Sequence, residues 1–190
     1  MSEDIKLALK YLGLKDAPDE EQLLMVESSM EEIKKVARPQ FLHRFYPLHF
    51  DGSKYYVDVD LNLDYKSTFG LFSRKQSDCL CILVSTLGTA VDKRISRYKD
   101  SEPSRMVLLD ACANSLIEVV TDEYQKKLGL KEETFRYAPG YGDVPLSMQR
   151  QIFDLIPEIS KIGIELDPCN MMHPFKSMTG LIGFKVENRQ

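Results

Sequence analysis

The apolar positions of the chain run in two rhythms, and the change between them locates the elements. Between about Asp4 and Leu12, residues Ile5, Leu9 and Leu12 recur at helical spacing, and Gly13 stands where a C-terminal cap belongs. After Asp16 and Pro18, a second helix is predicted to about Ala37. Leu23, Val26, Met30, Ile33 and Val36 line one face of it, with acids early and Lys34 and Lys35 late, as the helix dipole favours. Pro39 ends that helix. Gln40 to Phe50 favours extended backbone but contains Pro47, which marks an interrupted or edge strand, and Asp51-Gly52-Ser53 forms a turn. From Tyr55 to Leu63 the period drops to two: Tyr55, Val57, Val59, Leu61 and Leu63 share one face, while Asp58, Asp60 and Asn62 share the other. That pattern predicts a half-buried strand.

Ser67 is placed to cap a short helix to about Arg74. Cys79 to Leu87 is then almost continuously apolar, the pattern of a strand covered on both faces, with Cys79 and Cys81 on the same side. A helix from about Ala90 to Tyr98 leads through Pro103 into the longest element, whose apolar stripe is Leu108, Cys112, Leu116, Val119, Val120 and Tyr124 and whose stop is Gly129. Beyond it, Glu133 to Tyr137 reads as a short strand and Ala138 to Pro145 as a loop. Ser147 is placed to cap a helix with Ile152, Phe153 and Ile156, and short strands are expected near Ile162 to Leu166 and Met178 to Val186. Helices and strands do not alternate as a doubly wound sheet requires, so the fold class is α+β.

Composition narrows the possibilities. A chain of 190 residues, 43% hydrophobic and 28% charged, can close one domain around a core without disulfides or metals. Residues 1–190 are therefore expected to form a single module, with 1–38 as an N-terminal helical segment packed on it. The absence of an apolar run of about eighteen residues, and a start of Met1-Ser2-Glu3-Asp4, point to a cytoplasmic protein without membrane contact. A net charge of −4 and a pI near 5.5 disfavour nucleic acid. Cys79, Cys81, Cys112 and Cys169 lack zinc-site spacing and are expected to be buried thiols, and His43, His49 and His173 are too scattered for a metal site.

Two constellations carry candidate chemistry. Arg136-Tyr137-Ala138-Pro139-Gly140-Tyr141, continued by Gly142, Asp143 and Pro145, places a fixed cation and two aromatics in a loop stiffened by proline. Gly140 and Gly142 allow positive φ or close approach of a ligand, Arg136 offers a planar fork to a carboxylate, and Tyr137 and Tyr141 offer ring faces and hydroxyls. The plainer alternative is a rigid corner whose arginine pairs with a nearby acid. On the long helix, Asp110, Asn114 and Glu118 recur every four residues as a polar row off the apolar stripe, either a solvated face or a place to meet a cation. The sequence has no Gly-x-Ser-x-Gly elbow, Gly-x-Gly-x-x-Gly loop or corrinoid-binding Asp-x-His-x-x-Gly motif.

The Arg136 to Tyr141 segment resembles the Arg-x-x-x-Gly-Tyr signature of the activation domain of cobalamin-dependent methionine synthase. Asp143, Pro145, Gln149, Ile152, Phe153 and the strand around Gly163 extend the likeness. Met171 to Gly180, Ser85 to Gly88 and Asp110 to Glu118 are similar to a short, free-standing subgroup, with an echo in Tyr11-Leu12-Gly13. The resemblance implies a bent antiparallel sheet flanked by helices and a shallow site for S-adenosylmethionine, held by Arg136, Ala138, Gly140, Tyr141 and Glu118. Arg136 would pair with the ligand carboxylate, Tyr141 would position the ligand, and Glu118 would balance its positive charge. Larger members carry an acid shortly before the motif arginine, where this chain has Leu130, with Glu132 and Glu133 nearby. The implied role is a reactivation module that supports reductive methylation of cob(II)alamin and is not a complete catalyst alone. Cobalamin would come from a partner, a methionine synthase lacking its own activation domain or another corrinoid protein, and the electron from a flavodoxin or ferredoxin. The alternative is a non-catalytic ligand-binding or docking subunit of a corrinoid methyltransferase system.

Overall fold

A computed structural model of the chain describes residues 1–14 and 17–186, so Asp16, expected just ahead of the second helix, lies outside the described residues. Helix α1 is Glu3–Tyr11, and the turn after it carries Gly13 at φ +71°. Helix α2 is Glu20–Val36, opened by a capping box in which the Asp19 carboxylate accepts from the Gln22 N–H and the Gln22 side chain accepts from the Asp19 N–H. Val26, Met30 and Ile33 are buried as the periodicity requires.

The main sheet has three antiparallel strands, β1 (Gln40–Pro47), β4 (Cys79–Thr86) and β7 (Ser177–Phe184), in the order β1-β4-β7. The central strand β4 is buried at every position, and Pro47 closes the edge strand β1 where a missing N–H costs nothing. The register sets Pro47 against Cys79 on one side of β4 and Phe184 against Cys79 on the other. β2 (His49–Phe50) and β3 (Tyr55–Tyr56) form a hairpin whose turn is held by the Asp51 carboxylate, which accepts from the Ser53 and Lys54 N–H groups.

Here the alternating stretch departs from its expected form. Only Tyr55–Tyr56 is strand. Tyr55, Val57, Leu61 and Leu63 are buried and Tyr56, Asp58, Asp60 and Asn62 exposed, yet the backbone turns on itself through Leu61 N–H to Val59 O and Tyr65 N–H to Leu63 O. Tight turns across two residues keep the side chains alternating without a ladder partner. Helix α3 (Lys66–Ser73) is capped from outside: the Asp143 carboxylate accepts from the Lys66 and Ser67 N–H groups, and Ser67 makes no cap.

Helices α4 (Thr89–Ser96) and α5 (Pro103–Leu128) follow, the latter ended by Gly129 at φ +62°. Helix α6 (Met148–Leu155) starts after Ser147, whose side chain makes no cap bond, and a 3-10 turn occupies Pro157–Ile162. The region expected as a strand before Tyr137 forms no ladder: it meets β7 through the Tyr137 bridge to Leu181 and through Thr134, whose N–H donates to Gly183 O and whose hydroxyl accepts from the Gly183 N–H, and Lys131 bridges to Lys185 just past the strand. The Met171 to Pro174 segment, read as a turn, contributes β6 (Met172–His173), which pairs with β5 (Glu165–Leu166). Cys79, Cys81 and Cys112 are buried, and burial pushes the Cys81 and Cys112 thiols up to about 12. Cys169 is exposed, contrary to expectation, because the Asp167 carboxylate holds its backbone in a tight surface turn.

Three packed regions position the site. One face of the sheet (Leu80, Ile82, Val84, Leu181) closes on α3, α6 and the 57–63 segment. The other face (Cys81, Leu83, Ile182, Phe184) packs against the C-terminal half of α5 through Tyr124 and Leu128. The first half of α5 joins α1, α2 and α4 in a helical core of Ile5, Leu9, Met30, Ile33, Leu109, Cys112 and Leu116. No helix of the described residues is long and apolar enough to cross a membrane.

Candidate functional site

Residues 131–137 run beside the free edge of β7, and Tyr137 exchanges both backbone hydrogen bonds with Leu181, at 2.9 and 2.8 Å. This pairing fixes the entry to the loop. Gly140 N–H donates to Val144 O, Val144 N–H donates to Tyr141 O, and the Tyr137 hydroxyl donates to the Tyr141 carbonyl at 2.9 Å. Val144, buried, anchors the loop from below. Gly140 and Gly142 hold φ of +92° and +55°. A Cβ at Gly142 would stand 2.8 Å from Ser67 Oγ and closer still to the Tyr137 hydroxyl. The second glycine of the motif is therefore demanded by space as well as by conformation.

The Arg136 side chain crosses from this loop to α5. Its Nη2 donates to Glu118 at 2.8 Å, and its Nη1 donates to Asp122 at 2.8 Å and to Gln125 at 2.9 Å. The side chain is only 11% exposed, against 34% for Glu118. Three hydrogen bonds stand against five N–H donors, which leaves two without a partner among the described residues. The Nε atom makes no hydrogen bond among the described residues and is not one of the buried side-chain atoms without a partner, so solvent reaches it. The arginine paired with nearby acids, the plainer reading, is thus what the structure contains, and the fork keeps spare donors.

The polar row of α5 meets cations along its length. The Lys176 ammonium donates to Asp110 Oδ1 and Asn114 Oδ1, both at 2.7 Å, and the Asn114 amide donates back to Asp110. Glu118 and Asp122 take Arg136, so the row is one turn longer than the three residues singled out from the sequence. Asp122, four residues past Glu118, carried the same spacing signal. Gln125 and Lys176 carried none.

Between α5 and the loop lies a cleft of about 600 Å³. Glu118, Arg136, Tyr137, Ala138 and Tyr141 line one side of it, and Gln149, Met172, Met178 and Thr179 line another. The volume suits a ligand of cofactor size. Of the five residues expected to hold the ligand, Gly140 alone is not on the wall: it is exposed and shapes the loop, with Leu146 Cδ1 3.3 Å from where its Cβ would be. Buried Gln149 accepts from the Thr179 hydroxyl at 2.9 Å and ties α6 to β7 at the base of the cleft. Burial raises the Tyr11 hydroxyl, with Glu118 and Tyr141 adding to the effect, which puts the end of α1 within electrostatic reach of the same cleft. Asp143, whose carboxyl is held below its ordinary value chiefly by Ser67, fixes the far end of the loop to α3.

Other groups are occupied elsewhere. His43 bonds the Tyr124 hydroxyl at 3.0 Å, His49 bonds Asp58 and His173 bonds Asp167, each in its own part of the fold. A second cleft of about 640 Å³ lies between α2 and the start of α5. It is lined by Leu24, Met25 and Leu108, and Arg105, its cation among the described residues, is bound to Glu32 at 2.7 Å. Of these two large clefts, the first joins polar groups of both signs with aromatic rings, so the chemistry is assigned there.

No protein-family model matches the chain, and no curated protein matches it. Among solved structures it is similar to the MetH reactivation domain bound to AdoHcy, at 13% identity and a TM-score of 0.62, over 98% of this chain and 77% of that one. At that identity the likeness establishes the fold, an α+β arrangement of helices around an antiparallel sheet.

Proposed function

We propose that this chain binds S-adenosylmethionine in the cleft between α5 and the Arg136 to Tyr141 loop, and acts as a stand-alone reactivation module for a cobalamin-dependent methyltransferase. One observation carries the reading: Glu118 and Arg136 stand side by side on the wall of a cleft of cofactor size, with two arginine N–H donors unpaired among the described residues. S-adenosylmethionine bears a carboxylate, an ammonium and a sulfonium, and a wall presenting both signs complements it. The solved structure of similar fold, which was bound to AdoHcy, supports the same ligand class.

In this reading those two donors of Arg136 take the carboxylate, and Glu118 faces the positive centres. Tyr141, 68% exposed, positions the ligand from the rim, the backbone at Ala138 gives it close approach, and Gly140 shapes the loop that carries both. When bound, such a ligand supplies an activated methyl group. The protein's own contribution is orientation. A methionine synthase without its own activation domain, or a related corrinoid protein, supplies the cobalamin, and a flavodoxin or ferredoxin supplies the electron.

The fit is tested by titration calorimetry. The wild-type protein binds S-adenosylmethionine saturably, and Arg136→Ala weakens binding roughly tenfold or more, the size of one lost charge-assisted contact. A wild-type protein that takes up no ligand overturns the reading. A second reading, a docking subunit without methyl transfer, draws on Phe135, Tyr141, Met171 and Phe175, exposed apolar residues on and beside the cleft. Reactivation of a corrinoid methyltransferase that lacks an activation domain separates the two: methyl return supports the first, and ligand binding without it leaves the second.

A further inference from the structure

Strand β7 contains two glycines, Gly180 and Gly183, and neither has the positive φ that would require glycine for conformational reasons. An interior strand glycine forgoes packing and adds flexibility to the unfolded chain, so some neighbour must need the space. At Gly183 that neighbour is the core: a Cβ would lie 2.5 Å from Ser77 Oγ and 2.7 Å from Phe72 Cδ1. At Gly180 the three nearest atoms all belong to Arg136. A Cβ there would lie 2.6 Å from its Cδ, closer still to its Cγ, and 3.6 Å from its Cβ.

Alternation along β7 places Met178, Gly180, Ile182 and Phe184 on one face, and Ile182 and Phe184 pack in the cluster that contains Tyr124 and Leu128 of α5. Gly180 is thus a gap in a face otherwise filled by large side chains. The aliphatic stem of Arg136 passes through that gap, and its fork emerges against Glu118, Asp122 and Gln125, which succeed one another along α5.

We propose that Gly180 is a positioning residue of the ligand site, its missing side chain forming the passage that brings the Arg136 guanidinium to the wall of the cleft. The role in binding rests on the function proposed above; the passage itself does not. A methyl group at Gly180 displaces the stem, pulls the fork off Glu118 and removes the donors offered to the ligand carboxylate.

The test is a double-mutant cycle read by chemical denaturation, together with calorimetry. Gly180→Ala lowers the denaturation midpoint in the wild-type background. In an Arg136→Ala background, where the passage is empty, the same substitution leaves the midpoint unchanged or raises it. Should Gly180→Ala alone fail to fold, the double variant still folds with the stability of Arg136→Ala. A loss that persists without the arginine stem overturns the passage. At a temperature where both variants are folded, Gly180→Ala weakens S-adenosylmethionine roughly tenfold or more. Gly183→Ala, which clashes with the core on the other face, costs stability and leaves affinity unchanged. Unaltered affinity in Gly180→Ala, with wild-type binding intact, overturns the positioning role. If the wild-type protein binds no S-adenosylmethionine, the proposed function and the binding role fall together, and the cycle alone decides whether Gly180 seats the arginine.

Discussion

Gly142 shows how much a single position in the motif loop is asked to satisfy. Its φ of +55° disfavours any side chain, and the space for a Cβ is taken by Ser67 and the Tyr137 hydroxyl. Gly142→Ala is expected to cost about 1–3 kcal/mol, through a strained backbone and an overpacked contact together. Urea denaturation checks this, and a midpoint equal to wild type would show that the loop simply rearranges. Gly140 has φ of +92° but a looser neighbourhood, so the same substitution there acts mainly through conformation. At this scale the sequence was informative about residue type and silent about partners. The loop announced itself by crowding Arg, Tyr, Gly and Pro together. That Tyr137 would use its hydroxyl on the loop itself, leaving Tyr141 exposed, depended on where the chain turned.

Helix α5 is the element through which the rest communicates. Its polar row joins Lys176 and Arg136, and near its start Arg105 reaches Glu32 of α2, which also takes Arg94 of α4 and the Tyr98 hydroxyl. Burial pushes the Glu32 carboxyl up, but Arg105, Tyr98 and Arg94 together outweigh it and hold it below its ordinary 4.5. A carboxyl lowered in the folded state lends stability that is complete above the unfolded value and is lost as pH falls through the folded one. Asp4 behaves alike: burial raises it, and Lys34, Ser2 and the Ile5 N–H prevail. Stability is therefore expected to fall as pH drops below about 4.5, and Glu32→Gln should flatten the slope. Denaturation midpoints measured across that range test it, and equal slopes in the two proteins would remove Glu32 from the account. Element boundaries were legible where caps and periodicity agreed, as in α1, α2, β4 and α5. The 55–63 segment is not legible in the same way, because alternating burial also arises from successive tight turns, which a period of two cannot distinguish from a ladder.

Across the whole molecule, the sheet and α5 support the cleft, and the first two helices cover α5 from behind. Ile5, Ala8 and Leu9 of α1 and Val26, Met30 and Ile33 of α2 bury Leu109, Cys112, Ala113 and Leu116, and Ser115 donates to the Asp4 carbonyl. Removing residues 1–38 would expose that apolar face, so the shortened chain is expected to self-associate and to lose cooperative unfolding. Size-exclusion chromatography and thermal circular dichroism check this; a monomer that melts cooperatively would show that the remainder folds by itself. The amino-acid sequence by itself determined the α+β class, the long helix, the central strand and the composition of the motif loop, because periodicity, caps and turn residues are local signals. Tertiary structure alone decided that Arg136 would be shared among Glu118, Asp122 and Gln125, that Asp143 would cap α3 and that Gly180 would leave room for an arginine stem. Each of these joins residues distant along the chain, and hydrogen-bond reach and the volume of a single methyl group are settled only once the backbones have met.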